Sequence, residues 1–296
     1  MTDSVSDITT FFKTSARNKN DATNTVRERV LNLLSNPPEE CLSNQEFGKM
    51  WRTVHEEWKN ALERVAQIEG VPAYTSTQVE VRGGRRNHYD VHVNYYDETT
   101  LVGNKKIEFK YGASKIAGLP QFLSLQAKFA LFNETYDKFF YENYLSAYMA
   151  CDPGITEAKP TLEVYLKDVV STVYTISPFF AQLKARESEK KNEKNTVVNT
   201  SIKDYLTRYA KDLQINSFCE KVKATQTGKV FLLWSNGKFS IDKISEAETS
   251  DMRYTAIKNG NAIQVQSGNT TYSLLLRWRN HKGILNPAWQ ISMKRQ

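Results

Sequence analysis

The chain has 296 residues, of which 40% are hydrophobic and 25% are charged, a balance typical of a globular protein and unlike a disordered chain. This length predicts one large domain or two unequal lobes. The apolar runs are too short to span a membrane, and residues 1–7 lack the hydrophobic stretch of a secretory signal. We therefore expect a cytoplasmic protein, whose three scattered cysteines favour reduced thiols over disulfides or structural zinc.

Positive charge is concentrated towards the end of the chain. The net charge is +7, yet the segment from Lys221 onward holds twelve lysines and arginines against four acidic residues, and no Asp or Glu follows Asp251. A neutral first part followed by a basic last part favours a polyanionic partner, above all nucleic acid. The alternative is a basic surface that serves only solubility.

The first predicted elements are helical. Residues 1–26 are polar and predict a mobile arm, and a short helix over 26–35 ends at two consecutive prolines. Apolar residues at three- and four-residue steps then predict a long amphipathic helix over 45–69, and Gly70 ends it.

Period-two alternation then predicts a sheet. Strands are expected at residues 77–82, 87–96 and 105–111, with a Gly-Gly turn between the first two. A helix-period pattern returns over 119–149, and short strands with Gly and Asn turns dominate after 222. We therefore expect an α/β fold in which a central mixed sheet is flanked by helices and followed by a β-rich C-terminal subdomain.

These patterns divide the chain into four predicted segments. They are an arm with a short helix (1–40), an α/β core (41–150), a helical connector (151–221) and the basic β-rich subdomain (222–296). The boundary between the two lobes is open anywhere from about 150 to 225.

Two of the predicted strands carry polar residues on one face. Side chains alternate between the faces of a strand, so Asp90 is separated from Val91, and Glu108 and Lys110 are separated from Phe109. If both strands pack their apolar sides on the same helix, Asp90, Glu108 and Lys110 can converge. The alternative is a half-solvated sheet whose outer face is simply charged.

Two carboxylates and an ammonium group suit metal-assisted hydrolysis of a phosphodiester. Mg²⁺ binds one or two carboxylates together with water and phosphate oxygens. The metal activates the attacking water and offsets charge on the scissile phosphate. A lysine beside it can hold that water or stabilise the developing charge.

This pattern resembles the PD-(D/E)xK nuclease superfamily and, within it, the type II restriction endonucleases. The matching residues are Asp90 and, eighteen positions later, Glu108-Phe109-Lys110. The resemblance implies a restriction-endonuclease-like core over 41–150, with Asp90 and Glu108 as Mg²⁺ ligands and Lys110 as the catalytic lysine. Tyr89 stands where the motif has its proline, which makes the match less specific.

The same resemblance implies a function. It indicates a Mg²⁺-dependent endonuclease that cuts double-stranded DNA at a short specific sequence, commonly as a homodimer and without an organic cofactor. Two alternatives stay open: a structure-specific repair or recombination nuclease, and a non-catalytic DNA-binding protein on the same scaffold.

Many members of the superfamily add an acidic ligand from the helix before the sheet. Glu57 and Glu69 on the long helix are the candidates here, and Glu80 on the first strand is a third. A solvated helix glutamate is the alternative interpretation for Glu57 and Glu69.

Candidate DNA-contacting residues lie in two regions. Lys115 and Gln121 follow the E-x-K strand, where the family often places phosphate-contacting groups. Arg277, Arg279 and Lys282 lie in the basic C-terminal part, and arginine is the usual bidentate reader of guanine. The alternative is a β-subdomain whose arginines are merely solvated.

Overall fold

The computed structural model describes residues 5–13, 20–82, 87–170, 176–281 and 284–296. The chain forms two compact units, each assembled from two separate stretches: Met1–Leu119 with Lys223–Ser245, and Pro120–Val222 with Glu246–Gln296. Each unit combines helices with a five-stranded sheet, which confirms a mixed α/β fold. In the described part of the chain, no helix is both long enough and apolar enough to cross a membrane.

The elements are numbered in chain order. The helices are α1 (Asn20–Leu34), α2 (Glu39–Ser43), α3 (Gly48–Ile68), α4 (Tyr136–Asn143), α5 (Leu145–Ala150), α6 (Leu162–Asp168), α7 (Pro178–Ala185), α8 (Lys191–Tyr209) and α9 (Ile215–Val222). The strands are β1 (Ser76–Val81), β2 (Val91–Asp97), β3 (Thr100–Tyr111), β4 (Leu123–Gln126), β5 (Val230–Ser235), β6 (Lys238–Asp242), β7 (Arg253–Lys258), β8 (Ala262–Ser267), β9 (Thr270–His281) and β10 (Ile284–Arg295).

The sheet of the first unit is mixed. Its strand order is β1-β2-β3-β5-β6, and all neighbours are antiparallel except β3 and β5, which are parallel. Five of the six residues of β5 are buried, as expected for a strand that is covered on both faces. The sequence-based expectation of a central mixed sheet flanked by helices is therefore confirmed for this unit.

Helix α3 covers one face of this sheet. Its buried residues recur at helical spacing and include Trp51 and Trp58, which belong to the same apolar cluster as Ile107 and Phe109 of β3. Burying such a stripe is what stabilises an amphipathic helix in water. Since Ile107 and Phe109 face this core, Glu108 and Lys110 project to the opposite face.

The predicted mobile arm is wrong for part of its length. Residues Asp7–Phe11 form a short 3-10 helix, and α1 begins at Asn20 rather than at residue 26. Ile8 and Phe11 are fully buried, and the Phe11 ring lies 5.5 Å from that of Trp234. Two large apolar side chains in a polar segment are enough to anchor it to the core.

The predicted helix over 119–149 is also wrong in its first half. Residues Leu123–Gln126 form strand β4, and α4 begins only at Tyr136. Leu123 and Leu125 are buried while Ser124 and Gln126 are half-buried, a period of two that pairs with β10. Pairing with β10, which is distant in the chain, overrides the local helical pattern.

The second unit has an antiparallel sheet ordered β4-β10-β9-β8-β7. Its buried face packs on helices, since Trp278 of β9 donates to the Tyr136 hydroxyl of α4 at 2.9 Å and lies 4.8 Å from the Phe140 ring. The four-segment division expected from sequence therefore differs from the units found. Strands β5 and β6 complete the first sheet, and residues 120–150 belong to the second unit.

Candidate active site

The three motif residues come together on one face of the first sheet. Register pairs Val91 with Ile107, so Asp90, just before β2, stands opposite Glu108. The backbone N–H of Asp90 donates to the Ile107 carbonyl at 3.0 Å, and its Oδ2 accepts from the Phe109 N–H at 2.9 Å. The Lys110 ammonium forms an ion pair with Glu108 Oε1. The convergence predicted from alternation is therefore observed.

Lys229 is a second lysine at this site, and sequence analysis missed it. Its Nζ lies 2.9 Å from Glu108 Oε2 and donates to the His88 carbonyl at 2.6 Å. His88 has a φ of 55°, a left-handed conformation that is uncommon outside glycine and often found at functional loops. The signal in the sequence is a lone lysine directly before the apolar run of β5, but only the β3–β5 pairing reveals its position.

Glu28 of α1 is a third carboxyl group at the site, also missed from sequence. Burial raises its pKa, the charge of Asp90 raises it further, and the value is about 7 although Lys110 acts in the opposite direction. The preceding residue, Arg27, is fully buried with its guanidinium carbon 3.4 Å from the ring centre of Tyr111. Because Tyr111 follows Lys110 in β3, this contact holds α1 where the motif strand ends.

The carboxyl groups of the site differ in their proton affinity. Burial and the neighbouring charge of Glu108 raise the pKa of Asp90 to about 6. Burial also acts to raise the pKa of Glu108, but Lys110 and Lys229 outweigh it and the pKa lies below its usual value. Glu108 is therefore the carboxylate that stays ionised, while Asp90 and Glu28 take up protons more readily.

The two lysines of the site also differ in their proton affinity. Burial lowers the pKa of Lys229, and its contact with Glu108 does not fully compensate. Burial also acts on Lys110, but Glu108 and Asp90 outweigh it and the pKa of Lys110 is raised. Lys110 is thus the firmly protonated donor of the pair.

The glutamates predicted as a further ligand each form other contacts or lie on the other face of the sheet. Glu69 forms ion pairs with Lys105, at 3.4 Å, and with Lys243. Glu80 shares the sheet face of Asp90, since its partner in β2 is His92, but its carboxylate forms an ion pair with Arg82, two residues later in the chain. Glu57 lies on α3, which packs against the opposite face of the sheet. Glu28, on α1, is instead the additional carboxyl group whose pKa responds to burial and to the charges of Asp90 and Lys110.

The predicted DNA-contacting residues fall in different parts of the chain. Lys115 is exposed in the first unit, and Gln121 is half-buried at the start of the second. Arg279 donates to Ser124 Oγ at 2.9 Å, across the sheet of the second unit. Arg277 lies two residues before it on the same face of β9, and Lys282 lies outside the described residues.

The donor set suits Mg²⁺, although the lysines hold part of it. Asp90, Glu108 and Glu28 offer only oxygen ligands, which this hard cation prefers. Both oxygens of Glu108, however, contact an ammonium group, and among the described residues no three His, Cys, Asp or Glu side chains are arranged to hold a metal ion. Binding of Mg²⁺ at Oε1 of Glu108 would require Lys110 to move away, whereas Lys229 would keep its contact with Oε2.

Comparison with protein-family models, with curated proteins and with solved structures finds no match to this chain. The function is therefore inferred from the residues of the site itself.

Proposed function

We propose that this protein is a Mg²⁺-dependent endonuclease of the PD-(D/E)xK type that hydrolyses double-stranded DNA, at a short specific sequence as type II restriction enzymes do. The observation that supports it is the convergence of Asp90, Glu108 and Lys110 on one polar face of a mixed sheet. In this proposal the first unit is the restriction-endonuclease-like core, with β5 and β6 as part of it.

The proposal gives each side chain of the site a task. Asp90 and Glu108 hold Mg²⁺, and Glu28 adds a third carboxylate from α1. When bound, Mg²⁺ offsets charge on the phosphate oxygens and lowers the pKa of a coordinated water. Lys110, released from Glu108, donates a hydrogen bond to the attacking water. Hydrolysis adds one water across a P–O bond and leaves a phosphate monoester and a hydroxyl.

Lys229 has a supporting task in this scheme. It is buried behind Glu108 and bonded to the carbonyl of His88, so it holds the loop before Asp90 against the motif strand. A lysine in this position orients the carboxylate without reaching the substrate, and we assign it to positioning rather than to the chemical step.

Digestion of long, unmethylated duplex DNA tests the proposal. The full chain is incubated with Mg²⁺, with EDTA, and as the Lys110→Ala variant. Lys59→Ala is the matched control, because Lys59 is an exposed lysine of α3 with only a 3.8 Å ion pair to Glu56. Discrete bands that need Mg²⁺ and Lys110, but not Lys59, are the expected result.

Other outcomes of this digest have defined meanings. A smear with the same dependence on Mg²⁺ and Lys110 would replace sequence-specific cleavage by the structure-specific alternative. Absence of cleavage together with salt-dependent binding would mean that the lysines around Glu108 form a structural ion-pair cluster and that the protein only binds DNA.

A further inference from the structure

The antiparallel sheet of the second unit has two chemically different faces. Along β9, Tyr272, Leu274 and Leu276 are fully buried, whereas the alternating Ser273 and Arg277 are half-buried. Directly opposed residues of antiparallel strands share a face, so the strand register assigns the described residues that have an opposed partner to one side or the other. We call the side that carries Ser273 and Arg277 the polar face.

The charged residues of the polar face are all basic. Asp and Glu are absent from all five strands of this sheet. Ordinary solvated surfaces intersperse both signs of charge, so five cations without a carboxylate among them favour a polyanionic partner. The cations that the register places on this face are Arg253, Lys258, Arg277, Arg279 and Lys294.

Amide and hydroxyl groups occupy several of the positions between these cations, and Leu275 and three alanines occupy others. Gln264 donates to Ser273 Oγ at 2.8 Å, and Thr271 donates to Gln266 Oε1 at 2.6 Å. Both bonds join β8 to β9, so the amides are held in place before any partner arrives. Such groups bind phosphate oxygens and base edges.

The position of the aromatic side chains argues for a duplex. Proteins that bind single strands stack bases on aromatic side chains. By the strand register, the polar face carries no Phe, Tyr or Trp from the described residues of these strands. Tyr272, Trp278 and Trp289 of the central strands project to the other side, where Trp278 packs on α4 and α5. A basic face without aromatic rings fits paired nucleic acid.

The two central strands extend beyond their neighbours. Strand β8 pairs with β9 only as far as Leu275, and β4 pairs with β10 only as far as Ala288. Beyond these residues, pairing in the described chain continues between β9 and β10 alone. Arg279 lies on the polar face of this two-stranded part, and Arg277, opposite Ala288, lies at its border. The major groove of B-form DNA is about 12 Å wide and admits a two-stranded β-ribbon, whereas the deep, narrow groove of duplex RNA does not.

We infer that the polar face is a docking surface for double-stranded DNA, with the β9–β10 ribbon directed at the major groove and Arg253, Lys258 and Lys294 on phosphates. The inference defines the partner surface of the proposed nuclease and in that sense rests on the proposed function. Binding measured in EDTA nevertheless tests it separately from cleavage.

The test measures binding of the full chain to a short labelled DNA duplex in EDTA by fluorescence anisotropy over a series of salt concentrations. The triple variant Arg253→Gln, Lys258→Gln, Lys294→Gln is expected to bind about tenfold or more weakly. Its slope of log affinity against log salt is expected to fall by ~3, about 0.9 for each phosphate that the variant no longer neutralises. The matched control replaces three exposed helix lysines of the same unit, Lys184, Lys191 and Lys211, by Gln.

The control triple variant is expected to bind as the wild type does, and circular dichroism verifies that both variants are folded. Equally weakened binding in the two triple variants would overturn the docking surface, because net charge alone would then explain binding. Binding of a single strand or of an RNA duplex as tight as that of the DNA duplex would also overturn it. If the wild-type protein bound the DNA duplex as expected but did not cleave DNA in the presence of Mg²⁺, only the proposed function would be contradicted.

Discussion

Lys110 and Lys229 contact the two oxygens of the same carboxylate, yet replacing them is expected to have different consequences. Lys229 is only 5% exposed and bridges Glu108 to the His88 carbonyl. Lys229→Met removes the ammonium donor and leaves the Glu108 carboxylate and the His88 carbonyl without it. We expect this variant to lower the free energy of unfolding by about 1–3 kcal/mol. Lys110→Met should cost less than ~1 kcal/mol of stability but reduce cleavage by about 10²-fold or more.

Urea unfolding and single-turnover cleavage separate these two effects. Lys59→Met serves as the control for both measurements. Lys59 lies on α3, which packs against the face of the sheet opposite to Glu108 and Lys110. If Lys229→Met abolished cleavage at unchanged stability, Lys229 would belong to the chemical step and not to positioning.

Glu28 is expected to make the stability of the metal-free protein depend on pH. Its pKa of about 7 in the folded protein lies above the ordinary value of 4.5, so the folded state binds the proton more tightly than the unfolded state does. The free energy of unfolding must then fall as pH rises between these two values. Glu28→Gln should therefore be more stable than the wild type above pH ~7, by about 1–2 kcal/mol after allowing for solvent screening.

Urea unfolding in EDTA at low, intermediate and high pH measures this difference. At a pH below the ordinary glutamate value the variant and the wild type should coincide, because both then carry a neutral side chain. Glu63→Gln, an exposed position on α3, provides the control and should show no such crossover. A stabilisation that is the same at all pH values would show that packing, not charge, is responsible.

The site could be predicted from sequence only as far as local information reaches. Alternation along a strand is a local property, and it correctly grouped Asp90, Glu108 and Lys110. Lys229 is 121 residues from Glu108 in the chain, and its position depends on a parallel pairing that no local pattern encodes. Glu28 lies on α1, and local sequence patterns do not show where this helix packs. Only the packing of α1 beside the end of β3 brings Glu28 near the motif residues.

At the scale of secondary-structure elements, the 3-10 helix near the N-terminus is expected to contribute to stability. Phe11 is fully buried against Phe109, Trp234 and Phe239. Phe11→Ala should cost about 3–5 kcal/mol, the usual range for truncating a buried aromatic residue. The next residue supplies the control: Phe12 is 42% exposed, and Phe12→Ala should cost less than ~1 kcal/mol. Urea unfolding measures both variants. If both lost a similarly small amount of stability, the segment would be a mobile arm, as the sequence predicts.

The errors at this scale have a common physical origin. Helix α3 was predicted within three residues of its ends because its apolar stripe is long and regular. Strand β4 has four residues, and its alternation is too short to distinguish from a helical pattern. The N-terminal segment has few apolar residues, and composition does not reveal that Ile8 and Phe11 reach the core.

For the whole molecule, the division into units depends on strand pairing rather than on composition. The basic last quarter of the chain predicted one subdomain, but β5 and β6 pair into the first sheet and β7–β10 belong to the second. Charge is a surface property and carries no information on which strands pair. The apolar run of β5 indicates a strand buried on both faces but leaves its sheet undetermined.

Hydrogen exchange in the full chain tests this assignment of β5. Leu232 is fully buried in the core shared with Phe109, so Leu232→Ala should remove about 2–5 kcal/mol from the stability of the first unit. Protection of the β3 amides at Ile107 and Phe109 should then fall by about two orders of magnitude, since ~1.4 kcal/mol corresponds to a factor of ten. The amides of β9 should be less affected, and Leu274→Ala, at a fully buried position of β9, should show the reverse. If Leu232→Ala instead weakened protection mainly in β9, β5 would belong with the C-terminal strands, as composition alone suggests.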